Sequence, residues 1–472
     1  MESKTESKVF LSLIEFSENL RKASHDPRVS ALFIRIHIDF ECRWGMAQEI
    51  GVDITNFRKS DKLAIAFVPT TIYRRLYIGC FCNELYLPPP KPENGSGGPS
   101  GLESDSGSAQ QDLIDYSLYV ETEVIAMGKY KQDTPGSAEK IESDDAIVSD
   151  VICHWLGKFS SLRGLSLEFL LDFLQSGDQF DLRNWVVAGL ITGLCEPDEL
   201  ISSLSRKFGD LVDLKQYSRV RKWTVGLVEG EERIAIIRVS GGINPSYLIP
   251  ADDNIITKIR QVRSSNTFKA LIIRVDSHGG DMYTSDLLWR EIRHVSRKIP
   301  VICSIYDHGY SGGYMVAMAG NVIVANELSL TGSIGVFLSR ANFRNVYALL
   351  NNKNKEFFSR ERHMKGIENS YKSFLDNVAL SRSLSAYHTK QIAERRIWTG
   401  KEALSNGLID AYGGLSHAIY IAKVKAKIPA DTLVRLEDLS RHDQSVFEAL
   451  RRHIIQFAVF VFEMFEELYR KM

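Results

Sequence analysis

Two stretches of this 472-residue chain carry the same order of short apolar runs, about 240 residues apart. ALFIRI at 31–36 answers to ALIIRV at 270–275, each β-branched and each with an arginine in fifth place. KLAIAFV from Lys62 answers to PVICSIY from Pro300, and IGCFCNELYL from Ile78 to VAMAGNVIVA from Val316, with Asn83 and Asn321 at the same place. Between the first two runs each copy has a stretch of helical spacing, MAQEIGVDITNFRKS and TSDLLWREIRHVSRK. The repeated unit is therefore strand, helix, strand, helix, strand. A chain built this way is confined to a mostly parallel, right-handed α/β layering, made twice.

What lies between and beyond the copies sets the expected domains. Residues 91–112, KPENGSGGPSGLESDSGSAQQD, are rich in Gly, Ser, Pro and acid, cannot bury a core and predict a mobile loop. DAIVSDVICHWLGKF and SLEFLLDFL place apolar residues at helical spacing, so roughly 141–215 reads as helices. The expected organisation is a first repeat over 1–140 with a flexible insert at 91–120. A helical linker follows at 141–216, then a second repeat over 217–430 and a tail at 431–472.

The formal net charge is -1, with Lys and Arg spread along the chain, so nothing here attracts nucleic acid. The six cysteines form no CxxC pair and have no histidine at zinc-site spacing; they read as small buried hydrophobes in a reducing compartment, and no metal or cofactor is expected. MESKTESKVFLSLIEF has the pattern of neither a signal peptide nor a transit peptide, and no run of about 18 apolar residues predicts a transmembrane helix. The run Ile454–Phe465 is too short to span a bilayer; it reads as buried in an oligomer interface or against the body, or as lying in a membrane interface.

Two motifs of the second copy can carry chemistry. DSHGG, Asp276 to Gly280, follows a strand and precedes a helix; its glycines suit either a structural turn or backbone N–H groups offered to a developing negative charge. YSGGYMVAMAG places Ser311 between a strand end and an apolar helix, as an N-cap or as a nucleophile whose oxyanion the Gly312 N–H would hold. His278 and His308 have no carboxylate to orient them beyond Asp276 and Asp307, so a desolvated lysine is the alternative base. Aligning the halves puts Tyr73-Arg74-Arg75 opposite Ser311-Gly312-Gly313, so the first copy has no nucleophile. VIAMGKYKQ from Val124 falls opposite EFFSRERHMK from Glu356, both read as strand-to-loop segments, and sets Lys131 against Met364 beside Lys365. Lys131 is either a solvated surface lysine or the base of a composite site shared by the two halves.

DSHGG, SGGY, LTGSIGVF (Leu330 to Phe337), GKYK (Gly128 to Lys131) and WTGKEALSNGLID (Trp398 to Asp410), in that set, resemble the long two-repeat form of signal peptide peptidase A, or protease IV, of peptidase family S49. The likeness is to plant and cyanobacterial members, covers 15–90 and 121–430, and is strongest over 217–428. It implies tandem Clp-peptidase/crotonase-like repeats and a Ser–Lys dyad that cleaves apolar, extended peptides through an acyl-enzyme. It implies Ser311 as nucleophile, Lys131 as base, Gly279 or Gly280 with Gly312 as oxyanion donors, and Ser333 in TGSIG as the residue orienting the lysine. It further implies a homotetramer on a membrane, in plants at the chloroplast thylakoid. Three departures stand against the pattern: His278 for a turn-fixing proline, Gln132 where serine is usual, and the 91–120 insert. They motivate a second reading, a catalytically impaired paralogue serving as oligomeric scaffold. A crotonase-type acyl-CoA enzyme is the third, and it has no need of SGG and a distant lysine.

Overall fold

The computed structural model describes residues 13–90, 122–127, 138–177, 181–228, 230–245, 254–341, 360–393, 396–429 and 432–440. The chain forms two α/β units, each around a parallel sheet.

In the first unit Ala31–Arg35 (β1), Leu63–Phe67 (β2) and Glu84–Leu87 (β3) pair in parallel, and after Thr122–Met127 (β4) the two-residue strand Gly193–Leu194 (β5) closes the sheet on β3. Alternation divides β2: Ala64 and Ala66 face one core, Ile65 and Phe67 the other. Helices Trp44–Arg58 and Tyr73–Cys80 cover the first face. Trp155, Phe159, Phe173 and Trp185 from the helical segment pack into that same core, so 141–216 shares its core with the first sheet.

The second unit opens with Arg233–Ile243 (β6), Phe268–Gly280 (β7), Val301–Tyr310 (β8), Val322–Ala325 (β9), Leu330–Gly332 (β10) and Val336–Ala341 (β11). Ile397–Thr399 (β12), Ala411–Tyr412 (β13) and Arg435–Asp438 (β14) complete it, β14 pairing with β6 beyond residue 430. β6 and β7 are apolar on both faces because helices cover both, with Ile234 and Ile236 on one side and Ala235, Ile237 and Val239 on the other. β8 forks. Ile302–Ile305 pairs with β9, whereas His308–Tyr310 pairs with β10. The fork opens at the carboxyl end of the sheet, where α/β folds bind ligands.

The repeat is visible in detail. Asn83 Oδ1 accepts from Ala64 N at 2.9 Å while Asn83 N donates to Ala64 O at 2.8 Å. Asn321 clamps Val301 in the same two ways, both at 2.8 Å. The supposed counterpart of VIAMGKYKQ differs from expectation: Arg360–Lys365 opens a helix, Arg360–Arg382, so that segment is not strand-to-loop. β4 pairs instead with β11, antiparallel, Met127 opposite Val336. Cys42, Cys80, Cys82 and Cys303 are buried, Cys195 is half-buried and Cys153 exposed, and all six are free thiols.

The units meet through polar groups that find part of their hydrogen bonding across the junction. Buried Arg274 donates to Glu49 Oε1 at 2.5 Å and to Ser304 Oγ at 2.7 Å, and lies 4.3 Å over the Tyr306 ring. Leu328 N donates to Gln48 Oε1 at 3.1 Å, and His154 Nδ1 stands 3.0 Å from Glu327 Oε2. Gly45 is as close as a backbone can come; a Cβ there would lie 2.2 Å from Tyr306 O.

Candidate active site

Ser311 ends β8 and starts the short helix Gly312–Ala317. Its φ of 47 and ψ of -115 lie outside the regions an L-residue favours, a strain characteristic of nucleophile turns. Its side chain makes no cap hydrogen bond, so it does not serve the helix as an N-cap, and it is partly exposed. The backbone holds it from both sides: Ser311 N donates to Gly332 O at 2.9 Å, and Ser311 O accepts from Met315 N at 2.9 Å.

DSHGG is not a turn. It continues β7, with Ser240 opposite Asp276, Gly242 opposite Gly279 and Ile243 opposite Gly280, and with Ser277 opposite Gly309 on the other side. The glycines are there for close approach. Gly279 has φ +93, and a Cβ on it would lie 2.7 Å from Gly312 N and 3.0 Å from Ser311 Cβ. A Cβ on Gly280 would lie 2.0 Å from Ile243 O. On Gly312 it would meet Ser285 Oγ at 2.4 Å, and on Gly313 it would meet Ser277 O at 2.6 Å. Gly279 N already donates to Ser277 Oγ, at 3.1 Å. Asp281 then caps the next helix, accepting from Thr284 N at 2.8 Å.

Ser333 joins this group through β10. Tyr310 and Gly332 are register partners, so Ser311 and Ser333 are the next residues on adjacent strands, and Ser333 too has positive φ, +48. Ser333 N is held by Arg396 O at 2.8 Å. Gly279, Gly280, Ser311, Gly312 and Ser333 thus come together at one strand end. Lys131 lies outside the described residues, as does the 91–120 insert; β4 ends four residues before that lysine.

A charged and aromatic cluster beside the serine is not legible in the sequence. The rings of His278, His308 and Tyr310 lie with centroids 4.8 to 5.7 Å apart. His308 N donates to Asp276 Oδ1 at 3.2 Å. Arg43, from the first unit, reaches His308 Nδ1 at 2.8 Å and stands 3.8 Å from Asp276 Oδ1. Burial works against a charge on Asp276, yet His308 and Arg43 hold its carboxyl below the usual range. Asp307 next door is pushed up to about 6, by burial first and then by Asp276. The two histidines and their neighbouring aspartates can be named from the sequence, but nothing there brings them together or links Arg43 to a strand some 230 residues away. Among the described residues no group of three or more His, Cys, Asp or Glu side chains could hold a metal, and no helix is long and apolar enough to cross a membrane.

The family model for peptidase family S49 matches residues 293–353 and 348–429. The chloroplastic serine protease SPPA of Arabidopsis thaliana is 37% identical over 93% of this chain and 69% of its own. Protease 4 of Haemophilus influenzae is 25% identical over 88% of this chain and 73% of its own. A solved structure of the 1510-N membrane-bound stomatin-specific protease, in mutant form, aligns over all of its chain and 45% of this one, at 17% identity and a TM-score of 0.32, too loose a fit to carry an argument. By its likeness to the Arabidopsis protease along nearly its whole length, the chain belongs to peptidase family S49.

Proposed function

We propose that this chain is a serine endopeptidase that cleaves extended apolar peptides through an acyl-enzyme, with Ser311 as nucleophile and Lys131 as general base. The observation that carries the reading is the strained, uncapped Ser311, set on a strand-to-helix turn with glycine backbone packed around it. A neutral Lys131 amine would take the Ser311 hydroxyl proton as Oγ attacks the scissile carbonyl. Gly312 N–H and one of Gly279 and Gly280 would hold the oxyanion. The bond from Gly279 N to Ser277 Oγ gives Gly280 the stronger claim to that role. The lysine would return its proton to the leaving amine, and water would then release the acyl group. Ser333 would orient the amine.

Support for the lysine comes from the β4–β11 ribbon. Met127 is the register partner of Val336, and Val336 follows Ser333 by three residues. From Met127 to Lys131 the chain can reach about 13 Å, a reach that favours a dyad within one chain over one made between chains. The same reading extends to the first repeat (1–140) as bearer of the base, the 141–216 segment as connector and the second repeat (217–430) as bearer of the nucleophile. It extends also to assembly as a homotetramer, membrane-surface contact by the apolar run Ile454–Phe465 of the tail and location at the chloroplast thylakoid.

An alkyl fluorophosphonate probe tests it. Wild-type protein should be labelled on Ser311, whereas Ser311→Ala and Lys131→Met should both resist labelling while keeping their assembly. Lys131→Met labelled at the wild-type rate would remove the lysine from the mechanism, and unlabelled wild type would remove the peptidase. Because only a neutral amine accepts a proton, labelling should quicken on the alkaline side.

A further inference from the structure

The first repeat has Tyr73-Arg74-Arg75 where the second has Ser311-Gly312-Gly313, and these arginines are not idle. Arg74 donates to Cys42 O at 2.8 Å; buried Arg75 donates to Phe40 O at 3.1 Å and to Thr70 Oγ1 at 3.0 Å. Both therefore tie down residues 40–42, which follow β1 as DSHGG follows ALIIRV in the second repeat. The next residue is Arg43. It crosses to the second unit and meets His308 Nδ1 at 2.8 Å, with Asp276 Oδ1 at 3.8 Å. Gly45 and Met46 press the same connection onto the end of β8, where Met46 N donates to Asp307 Oδ1 at 3.2 Å.

We propose that Arg43 is a positioning residue for the oxyanion strand: the dead site of the first repeat has become a strut that sets the backbone of Gly279 and Gly280 against Ser311. The path is short and each step is a polar or packing contact. Arg74 and Arg75 fix 40–42. Arg43 fixes His308 and Asp276. Asp276 is also fixed by His308 N and begins the segment that, three residues on, brings Gly279 onto Gly312 and Ser311. An arginine suits the task because its Nη1 reaches both groups from one position while the charge persists at every working pH. Arginine donating to His308 Nδ1 also requires that nitrogen to be an acceptor, so any proton of the neutral ring sits on Nε2. The groups that face this ring are Arg43, Asp276, Asp307, His278 and Tyr310. The inference deepens the peptidase reading and rests on it for its catalytic part.

The test uses the full chain with Arg43→Ala and Arg43→Lys, since Arg43 is partly exposed and its loss spares the core. Two readouts are taken. In fluorophosphonate labelling, Arg43→Ala should lower the limiting inactivation rate by roughly tenfold to a hundredfold and leave the probe's half-saturation within about twofold, with Arg43→Lys between it and wild type. In hydrogen exchange, the peptide spanning 276–281 should lose protection in Arg43→Ala while peptides of β2 and β9 keep theirs. Slower labelling without loss of strand protection overturns the inference, and so does labelling at the wild-type rate. If wild type itself is not labelled but the strand loosens in Arg43→Ala, the strut stands and the peptidase reading falls.

Discussion

Gly279→Ala puts the site's geometry to its sharpest test, because a control with nearly the same φ exists elsewhere in the chain. Gly279 has φ +93 and Gly209 has φ +91, but a Cβ at Gly209 meets nothing within 4 Å, whereas at Gly279 it lies 2.7 Å from Gly312 N and 2.9 Å from Tyr310 O. An L-residue forced to so positive a φ costs about 1–3 kcal/mol. Gly209→Ala should therefore lose only that much stability and label with fluorophosphonate at the wild-type rate. Gly279→Ala carries a comparable positive-φ strain plus a clash with backbone that cannot swing aside, about 1–3 kcal/mol more by analogy with overpacked cores, for about 2–6 kcal/mol in all. Its methyl also stands on the amide that would hold the oxyanion. Loss of one such donor costs about a hundredfold to a thousandfold, and the labelling rate should fall in that range. Denaturant unfolding and time-resolved labelling measure both quantities on the same samples. A folded Gly279→Ala protein that labels like Gly209→Ala would refute the oxyanion role of the Gly312 amide.

Glu49→Ala leaves Arg274 buried without its charge partner and should cost about 3–5 kcal/mol in denaturant unfolding; a loss under about 1 kcal/mol would mean the junction relaxes freely. Asp53, buried and bonded by Ser17 Oγ, is pushed from 3.8 up to about 7, chiefly by burial. Between those values the folded chain binds the extra proton, so stability is lost as pH rises from 3.8 through about 7, by on the order of 4 kcal/mol for this group. Asp53→Asn should flatten the fall of melting temperature over that window, and an unchanged slope would place the effect elsewhere. Ser333→Ala, if that hydroxyl orients the base, should slow labelling by about tenfold or more with no change in half-saturation; a wild-type rate would leave Ser333 a purely backbone role.

The first two strands of each repeat are legible because each is a short apolar run that its neighbours bury on one or both faces, and Asn83 and Asn321 mark their register. The two-residue β5 is not, since two residues have no periodicity; it exists because β3 offers it an edge. DSHGG suggests a turn by its glycines, yet strands on both sides pair it, and the glycines serve the approach to Ser311. Part of the helix Arg360–Arg382 passes for a strand-to-loop segment only when the alignment of the halves is carried past the point where they remain parallel. Of the site, Ser311, Ser333 and the glycines can be named from motifs. Arg43 cannot, because its importance arises only when helix Trp44–Arg58 packs on β8.

Two equal halves joined by a two-fold relation would make every contact across their junction twice, and this chain does not. Arg274, fifth residue of its strand motif, is buried against Glu49 of the first unit. Its counterpart Arg35 is exposed, and the position matching Glu49 in the second repeat is Leu287, packed against the second unit's own core. The junction is therefore unequal: helix Trp44–Arg58 supplies Gly45 and Met46 to β8, Gln48 to Leu328 and Glu49 to β7, and the second repeat's helix Met282–Ser296 turns inward instead. With no serine to present, the first repeat is free of the requirement that its own strand end stay open, and Arg74 and Arg75 fill that end with bonds to carbonyls. On the strut proposal, rigidity gained there passes through Arg43 to the strand end that the peptidase reading needs open and ordered at once. The first repeat, with Tyr73-Arg74-Arg75 in place of Ser311-Gly312-Gly313, would then serve the site through its fold rather than through a nucleophile.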